Sequence, residues 1–494
     1  MKKFNTTLAP VAGALLLAFG AVSANAATIV ISSRDAAGVG FNDPTPVAPV
    51  GGNPGTTLGE QRFNVYRFVA DIWEKAIASD VTITVSAGWE ALSCTATGAT
   101  LGSAGAWNIW HDFPGGKPGM WYPQALANKL AGVNLSADVA DDGTGYGTVD
   151  IKTQFNVNLG KTGCLDGRFF YLGLDGNAGS NVNFATTLLH ELGHGLGFSV
   201  LSVQTSTGLR INAEGTAYTE NGLPSVWEPF MFDNTAGKSW LNMTSAERKA
   251  SAINPLGLAW TGANAVLAAS QTLSALPFMK VSTPVPGVSG GYAYGTASFG
   301  PAVSNPGALG TFANIAAGNP SGQGCTAFST ADAAAVKGKV AIIDRGTCGF
   351  TVKVKNAQNA GAIGVVIANN AAGPAPGLGG ADATITIPTV SVSQADGGKL
   401  KQAVTDAVKY GTRGKPGTVS ATLYKDETRR AGADLAGRPL LYTPNPLVGG
   451  SSVSHWDVSA SPNLLMEPSI NSDLTNILVA PKDLTVPLFK DLGW

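Results

Sequence analysis

The sequence predicts an α+β protein whose chain is interrupted by a compact α/β unit. Three features predict it. A stretch with helical spacing, Gly59–Ile77, leads into the alternating run VTITV at Val81–Val85. The segment TTLLHELGHGLGFSV, Thr186–Val200, carries the pattern H-E-x-x-H on a helix that stops in glycine. From about Ser282 the composition turns to Gly, Ala, Val and Pro, and GKVAIIDRGTCGFTVKVKNAQNAGAIGVVIANN reads as strand, turn, helix, strand.

The elements follow in chain order. Lys2 and Lys3, an apolar run from Leu8 to Val22, and Ala24-Asn25-Ala26 form a secretory signal peptide with cleavage expected after Ala26. Export to the periplasm or beyond the cell follows. A Gly/Pro-rich lead (FNDPTPVAPVGGNPGTT) reads as irregular surface chain. In the first helix Val65, Val69, Ile72, Trp73, Ala76 and Ile77 share one face, as an amphipathic helix requires. VTITV alternates strictly and reads as a strand. WYPQALANKLAG is a short helix and VDIKTQFNVNL a strand. Asn183 can cap the motif helix, which runs through Phe184, Leu188, Leu189 and Leu192. It ends in Gly195-Leu196-Gly197, because glycine accepts the left-handed conformation of a helix stop. Farther on, VAII (Val340–Ile343) and VVIA (Val365–Ala368) are short apolar runs of the buried-strand kind, with helical spacing from Thr351 to Ala362 between them. That unit continues through ITIPTVSVS to about Ser420, and Ala431–Trp494 has a looser, loop-rich texture.

At 494 residues the chain exceeds one ordinary core, so two or three domains are expected. Apolar content of 44% suits a globular protein, while 13% charged residues and 63 glycines suit a loop-rich fold with many tight turns. A formal net charge of −1 gives no electrostatic case for nucleic acid or an anionic membrane as a partner. No later segment offers ~20 consecutive apolar residues, so no membrane contact is expected once the signal is removed; separately, a monomer is expected. The four cysteines allow three pairings. Proximity and the domain division favour Cys94–Cys164 and Cys325–Cys348, as disulfides formed in an oxidising compartment.

The motif carries chemistry. On a helix His190 and His194 are one turn apart, about 6 Å along the axis, so both imidazoles leave the same face. That spacing suits two ligands of a tetrahedral Zn²⁺. Glu191 lies about 100° round the helix, where it can reach a water beside the metal rather than the metal itself. Zinc lowers the pKa of such a water towards ~7, and a carboxylate can take its proton as general base. A third ligand must come from elsewhere, since Val200 cannot bind metal. The histidines of the chain are His111, His190, His194 and His455. QTSTGLRINAEGTAYTENGLPS is too rich in Gly, Thr and Ser to be a ligand helix, which counts against Glu214 and Glu220. His111, in AWNIWHDFPGG, reads as a structural or cleft residue, and His455, in GGSSVSHWDVSASPNLLMEPSIN, is the stronger candidate.

H-E-x-x-H-x-x-G-F-S, an insertion, then S-H-W and a later L-M-x-P resemble the leishmanolysin-type branch of the metzincin zinc peptidases. In that branch an insertion displaces the third histidine, and a Met-turn floors the metal. Position by position, the resemblance implies His190, His194 and His455 as zinc ligands, Glu191 as general base, Gly197 as the turn and Met466 as the Met-turn residue. The pieces that match run from Gly51 to about Gly262 and from about Ala431 to Trp494. The departure is scale, because His194 and His455 stand 261 positions apart. The entropy of closing a loop grows only logarithmically with its length, and a folded insert with neighbouring ends reduces it further.

The second unit resembles a protease-associated (PA) domain through IDRGTCGFTVKVKNAQNAGAIGVVIANN, Ile343–Asn370, and IPTVSVSQADGGKL, over roughly residues 282–425. Asp344-Arg345-Gly346 forms a tight turn after a strand, and Gly361 lets the helix pack closely on the next one. By resemblance this domain is not catalytic and governs substrate access or protein contact, with a plain spacer as the alternative. The expected organisation is a signal peptide at 1–26, a discontinuous metzincin-type catalytic domain at 27–280 and 429–494, and an inserted PA domain at 281–428. The expected function is a secreted endopeptidase with one zinc ion, acting on proteins or peptides. The alternative is an inactive exported binding or adhesion protein that keeps the fold. Asp141-Asp142-Gly143 and Asp175-Gly176-Asn177 could contribute to Ca²⁺ loops, although short Asp/Gly stretches are first of all turns.

Overall fold

The computed structural model describes residues 26–137, 147–301, 307–314, 322–371, 373–412, 415–471 and 473–494. The expected signal peptide up to Asn25, and the Asp141-Asp142-Gly143 turn, lie outside these residues. Among the described residues no helix is long and apolar enough to cross a membrane.

The first core forms on a mixed four-stranded sheet. Strands Ile29–Ser33, Ile83–Glu90 and Ile151–Asn156 run parallel, and Gly102–Ala106 closes one edge antiparallel to Ile151–Asn156. The strand expected at Val81–Val85 begins at Ile83 and continues to Glu90. It is buried along nearly its whole length rather than on alternate residues. Its central place between parallel partners explains this, since parallel strands are covered on both faces. Helix Leu58–Ala76 starts in a capping box, with Thr57 Oγ1 accepting from Glu60 N while the Glu60 carboxylate accepts from Thr57 N. Its Val65, Val69 and Trp73 are fully buried, and Ile72 and Ala76 partly so. The Trp73 indole donates to Leu189 O (3.3 Å), which locks this helix to the motif helix Phe184–Leu196. Tyr66 Oη meets Thr153 Oγ1 at 2.9 Å, and the rings of Tyr66, Phe155 and Phe184 pack together, seating both helices on the sheet.

The second core is separate. Every residue of its two apolar clusters falls between Met279 and Leu423, whereas the first core passes from Leu273 directly to Leu441. It is built on an eight-stranded sheet whose parallel centre is Val340–Asp344, Gly364–Ala368 and Thr389–Val392. Period-two alternation sorts its side chains. Val340 and Ile342 face helix Gln394–Ala407, while Ala341 and Ile343 face the helix Phe350–Asn359 on the other side.

The ends of this unit meet. Ala275–Ser282 pairs antiparallel with Ser420–Arg430, Ala275 opposite Arg430, and Ala431 N donates to Ser274 O (3.0 Å). The first core therefore sees an inserted segment with adjacent ends, and closing the long loop costs little. On the far side, helix Thr485–Leu492 returns to pack on Ala263–Thr272. Asp491 ties the two, accepting from Trp260 Nε1 (2.9 Å) and Asn264 N (2.8 Å). Both disulfides form as expected, Cys94–Cys164 in the first unit and Cys325–Cys348 in the second.

Candidate metal centre

The motif helix spans Phe184–Leu196, and the Asn183 side chain caps it by accepting from Thr186 N (3.2 Å). Two of its glycines make close approaches. A Cβ on Gly195 would fall 2.3 Å from Ile151 Cγ2, and one on Gly193 would fall 2.7 Å from Met466 Sδ. The helix thus lies tight on the sheet on one side and on Met466 on another. Gly197, at φ +120°, ends it, and the carbonyls of Gly197 and Leu196 are claimed by the indoles of Trp227 (2.7 Å) and Trp494 (3.0 Å).

His190, His194 and His455 converge, although His455 comes from the far side of the insert. Each ring is fixed through Nδ1. His190 Nδ1 lies 2.7 Å from Leu465 O, His194 Nδ1 2.7 Å from Phe198 O, and His455 Nδ1 2.8 Å from Ser451 O. A carbonyl only accepts, so each Nδ1 carries the hydrogen and each Nε2 is left as a lone pair. His194 Nε2 stands 3.1 Å from both His190 Nε2 and His455 Nε2. Burial first, then the neighbouring imidazoles, keeps the rings neutral: His455 is held down to about 3 and His194 well below the usual histidine value, while burial alone brings His190 to about 4. Three neutral nitrogens facing one point have no donor among them, and a cation is what completes such a set. Tetrahedral ligation with Zn–N bonds of ~2.0–2.1 Å spaces its nitrogens about 3.3 Å apart, close to the two 3.1 Å separations at His194, and all three ligand atoms lie within 4.8 Å of one another, so this donor set suits zinc.

Met466 is fully buried, with its Sδ against Gly193 of the motif helix. The chain around it is braced by buried acids. Leu464 N donates to Glu467 Oε1 (2.8 Å), Leu465 N donates to Asp483 Oδ2 (2.7 Å), and Leu465 O orients His190. Burial, reinforced by Asp457, Asp473 and Asp483, pushes the Glu467 carboxyl up to about 8. The folded state therefore holds a proton there that the unfolded chain gives up near the ordinary carboxylate range, so this contribution to stability is complete below about pH 4.5 and lost as pH rises through about 8. Glu467→Gln should flatten the fall in melting temperature between about pH 5 and about pH 9. Parallel curves for the variant and the natural protein would exclude Glu467 as the titrating group.

A cleft of about 1410 Å³ opens over the three histidines and is lined as well by Glu191 and the start of the edge strand. Glu191 is half-buried, accepts a hydrogen bond from the Ala104 backbone N–H, and is pushed by burial to about 7. The edge strand is aimed by its pairing. Leu101 O accepts from Asn156 N, and Trp107 N donates to Asp150 O, so the odd-numbered residues bond inward. Gly102 and Ala104 then present their backbone groups to the cleft.

Other residues singled out in the sequence lie elsewhere. Val200 is buried in the first core, and its N–H is held by Ser454 Oγ (3.2 Å). His111 is a latch between Asp112 Oδ2 (2.6 Å) and Ala213 O (2.8 Å), and it is not among the residues that line the cleft. Glu220 accepts from Ser245 Oγ, and neither it nor Glu214 lines the cleft. Asp175 is engaged by Tyr171 Oη (2.7 Å) and Asn177, and among the described residues only the histidine trio groups three ligand side chains. The edge strand and the carbonyls that orient the histidines have no motif in the sequence.

Residues 308–400 match the PA domain family. Over 83 residues the chain is 46% identical to the PII-type proteinase of Lacticaseibacillus paracasei, covering 17% of this chain and 4% of that protein. It is 43% identical over 83 residues to leucine aminopeptidase 2 of Arthroderma otae, covering 17% of this chain and 16% of that one. The chain thus spans a small part of the curated relatives it matches. Among solved structures, a zinc aminopeptidase from Bacillus subtilis aligns at 23% identity over 33% of this chain and 36% of its own, with a TM-score of 0.20. The relatives are peptidases, and this chain contains a PA domain.

Proposed function

We propose that the chain is an exported zinc-dependent endopeptidase of metzincin type, with its PA domain inserted between the second and third zinc ligands. The observation that carries this reading is the meeting of three imidazole lone pairs, His190, His194 and His455, beside Glu191 in one cleft. Zinc held by the three imidazoles would supply Lewis acidity, polarising the scissile carbonyl and acidifying water. Glu191 takes the proton of the attacking water and passes it to the leaving nitrogen, so the peptide bond breaks to a carboxylate and an amine. Gly102, and Ala104 through its carbonyl, offer edge-strand groups to an extended peptide, which would hold the scissile bond beside Glu191. Met466 supports the histidines from below, and Gly197 turns the chain away once the helix has delivered them. The PA domain, on its own core, is suited to govern substrate access or protein contact rather than chemistry.

The test is metal content together with product analysis. The purified protein should hold one zinc per chain and generate new internal termini from a denatured protein mixture, read by mass spectrometry. Chelation should abolish them and added zinc restore them. Release of N-terminal residues alone, with two metals bound, would replace this reading by an aminopeptidase. Bound zinc without any cleavage would favour an exported binding protein.

A further inference from the structure

Among the described residues, the charged side chains lining the cleft are Arg168, Asp175 and Glu191. Asp175 is committed to Tyr171 Oη (2.7 Å), Asn177 N (3.0 Å) and Asn177 Nδ2 (3.0 Å). Glu191 accepts from Ala104. Among the described residues the Arg168 guanidinium makes neither a hydrogen bond nor an ion pair. Much of the remaining wall is Gly, Ala, Ser, Thr and Asn, so one unpartnered cation stands over a largely neutral surface.

Its position is built. The Cys94–Cys164 disulfide staples the loop before Arg168 to the hairpin that precedes the edge strand. Leu165 N donates to Thr95 O (2.7 Å) and Asp166 N to Ala96 O (2.9 Å), while Val182 N donates to Phe169 O (2.9 Å). Both flanks of Arg168 are thereby pinned, these ties hold its loop against the hairpin that leads into Gly102–Ala106, and Arg168 lines the cleft.

We propose that Arg168 is a specificity-determining residue that selects substrates bearing a carboxylate on the C-terminal side of the scissile bond. This rests on the peptidase reading above. Glu191 meets Ala104, so the bond to be cut lies opposite that residue. A peptide paired antiparallel with the edge strand, the more stable pairing, runs its C-terminal half towards residue 101 and hence towards Arg168. The planar guanidinium matches a carboxylate with two parallel hydrogen bonds. The carboxylate could belong to an Asp or Glu side chain or to a peptide C-terminus.

The experiment uses matched peptides with Glu, Ala or Lys at successive positions after the cleavage site, each with an amidated or a free C-terminus. Binding is measured on the zinc-loaded Glu191→Gln protein and kcat/KM on the active one. Glu over Lys should be favoured about tenfold, the order of one charge-assisted hydrogen bond at a solvated site. The ratio should approach one in Arg168→Ala, invert in Arg168→Glu, and shrink with added salt because the site is exposed. A preference that follows the amidated Glu peptides assigns the side chain, and one that follows only free termini assigns the terminus. An equal ratio in all three proteins overturns the proposal while cleavage leaves the peptidase reading standing. An Arg168-dependent preference in binding without cleavage by any form would overturn the peptidase reading instead.

Discussion

His455→Ala is expected to empty the metal site, although residue 455 stands 261 positions from His194. The ring is buried, its Nδ1 is committed to Ser451 O, and its Nε2 is 3.1 Å from that of His194. Removing it leaves two ligands on one helix turn and opens the third direction to water. Loss of a hydrogen-bond partner to a metal ligand already costs 10–100-fold in affinity, so loss of the ligand itself should exceed about 100-fold. Zinc stoichiometry after dialysis against a weak chelator reads this directly. His111→Ala is the contrasting variant, because His111 bridges Asp112 and Ala213 away from the cleft, and it should keep its zinc. Full occupancy in His455→Ala would show that the third ligand lies elsewhere, and the metzincin reading would fall with it.

The long separation tolerated by this site is explained by the insert. Because Ala275 and Arg430 are paired, the chain leaves the first core and returns to it at nearly the same place. Leu441 and Trp456 then bridge backbones beside the motif helix, and Trp456 N donates to Met466 O (2.8 Å), which carries His455 and Met466 into place together. Helix 485–492 closes the same core through Asp491. The insert thus need not touch the chemistry to be compatible with it.

Much of this was legible in the sequence, for physical reasons that differ by element. The motif helix announced itself because its cap, its leucine spacing and its glycine stop all agree. The parallel strands at 340–344 and 364–368 were legible as short apolar runs because both of their faces are buried. The edge strand GSAGA was not, since five small residues carry no apolar alternation and the strand exists through its pairing with Ile151–Asn156. Ile29–Ser33 was missed because most of its side chains are not buried, leaving little pattern after the signal segment. In the site, the imidazoles were visible but their orientation was not, because Leu465, Phe198 and Ser451 act through carbonyls that any residue possesses. Arg168 is an ordinary loop arginine until the disulfide and the cleft give it a place.

Glu191→Gln is expected to abolish turnover while leaving the metal bound. The carboxylate is the acid group beside the three imidazoles, and Gln can still accept from Ala104 N through its amide oxygen, so the edge strand and helix keep their contact. What the amide cannot do is hold a proton between the attacking water and the leaving nitrogen. A positioned general base contributes about 100- to 10,000-fold, so kcat should fall by that factor, with KM changed far less. Zinc content and melting temperature should match those of the natural protein, which separates this variant from His455→Ala, where metal and activity vanish together. A Glu191→Gln protein that kept its zinc and cleaved within about tenfold of the natural rate would mean that another group moves the proton. In that case the convergence of three histidines would identify a metal site without identifying its catalyst.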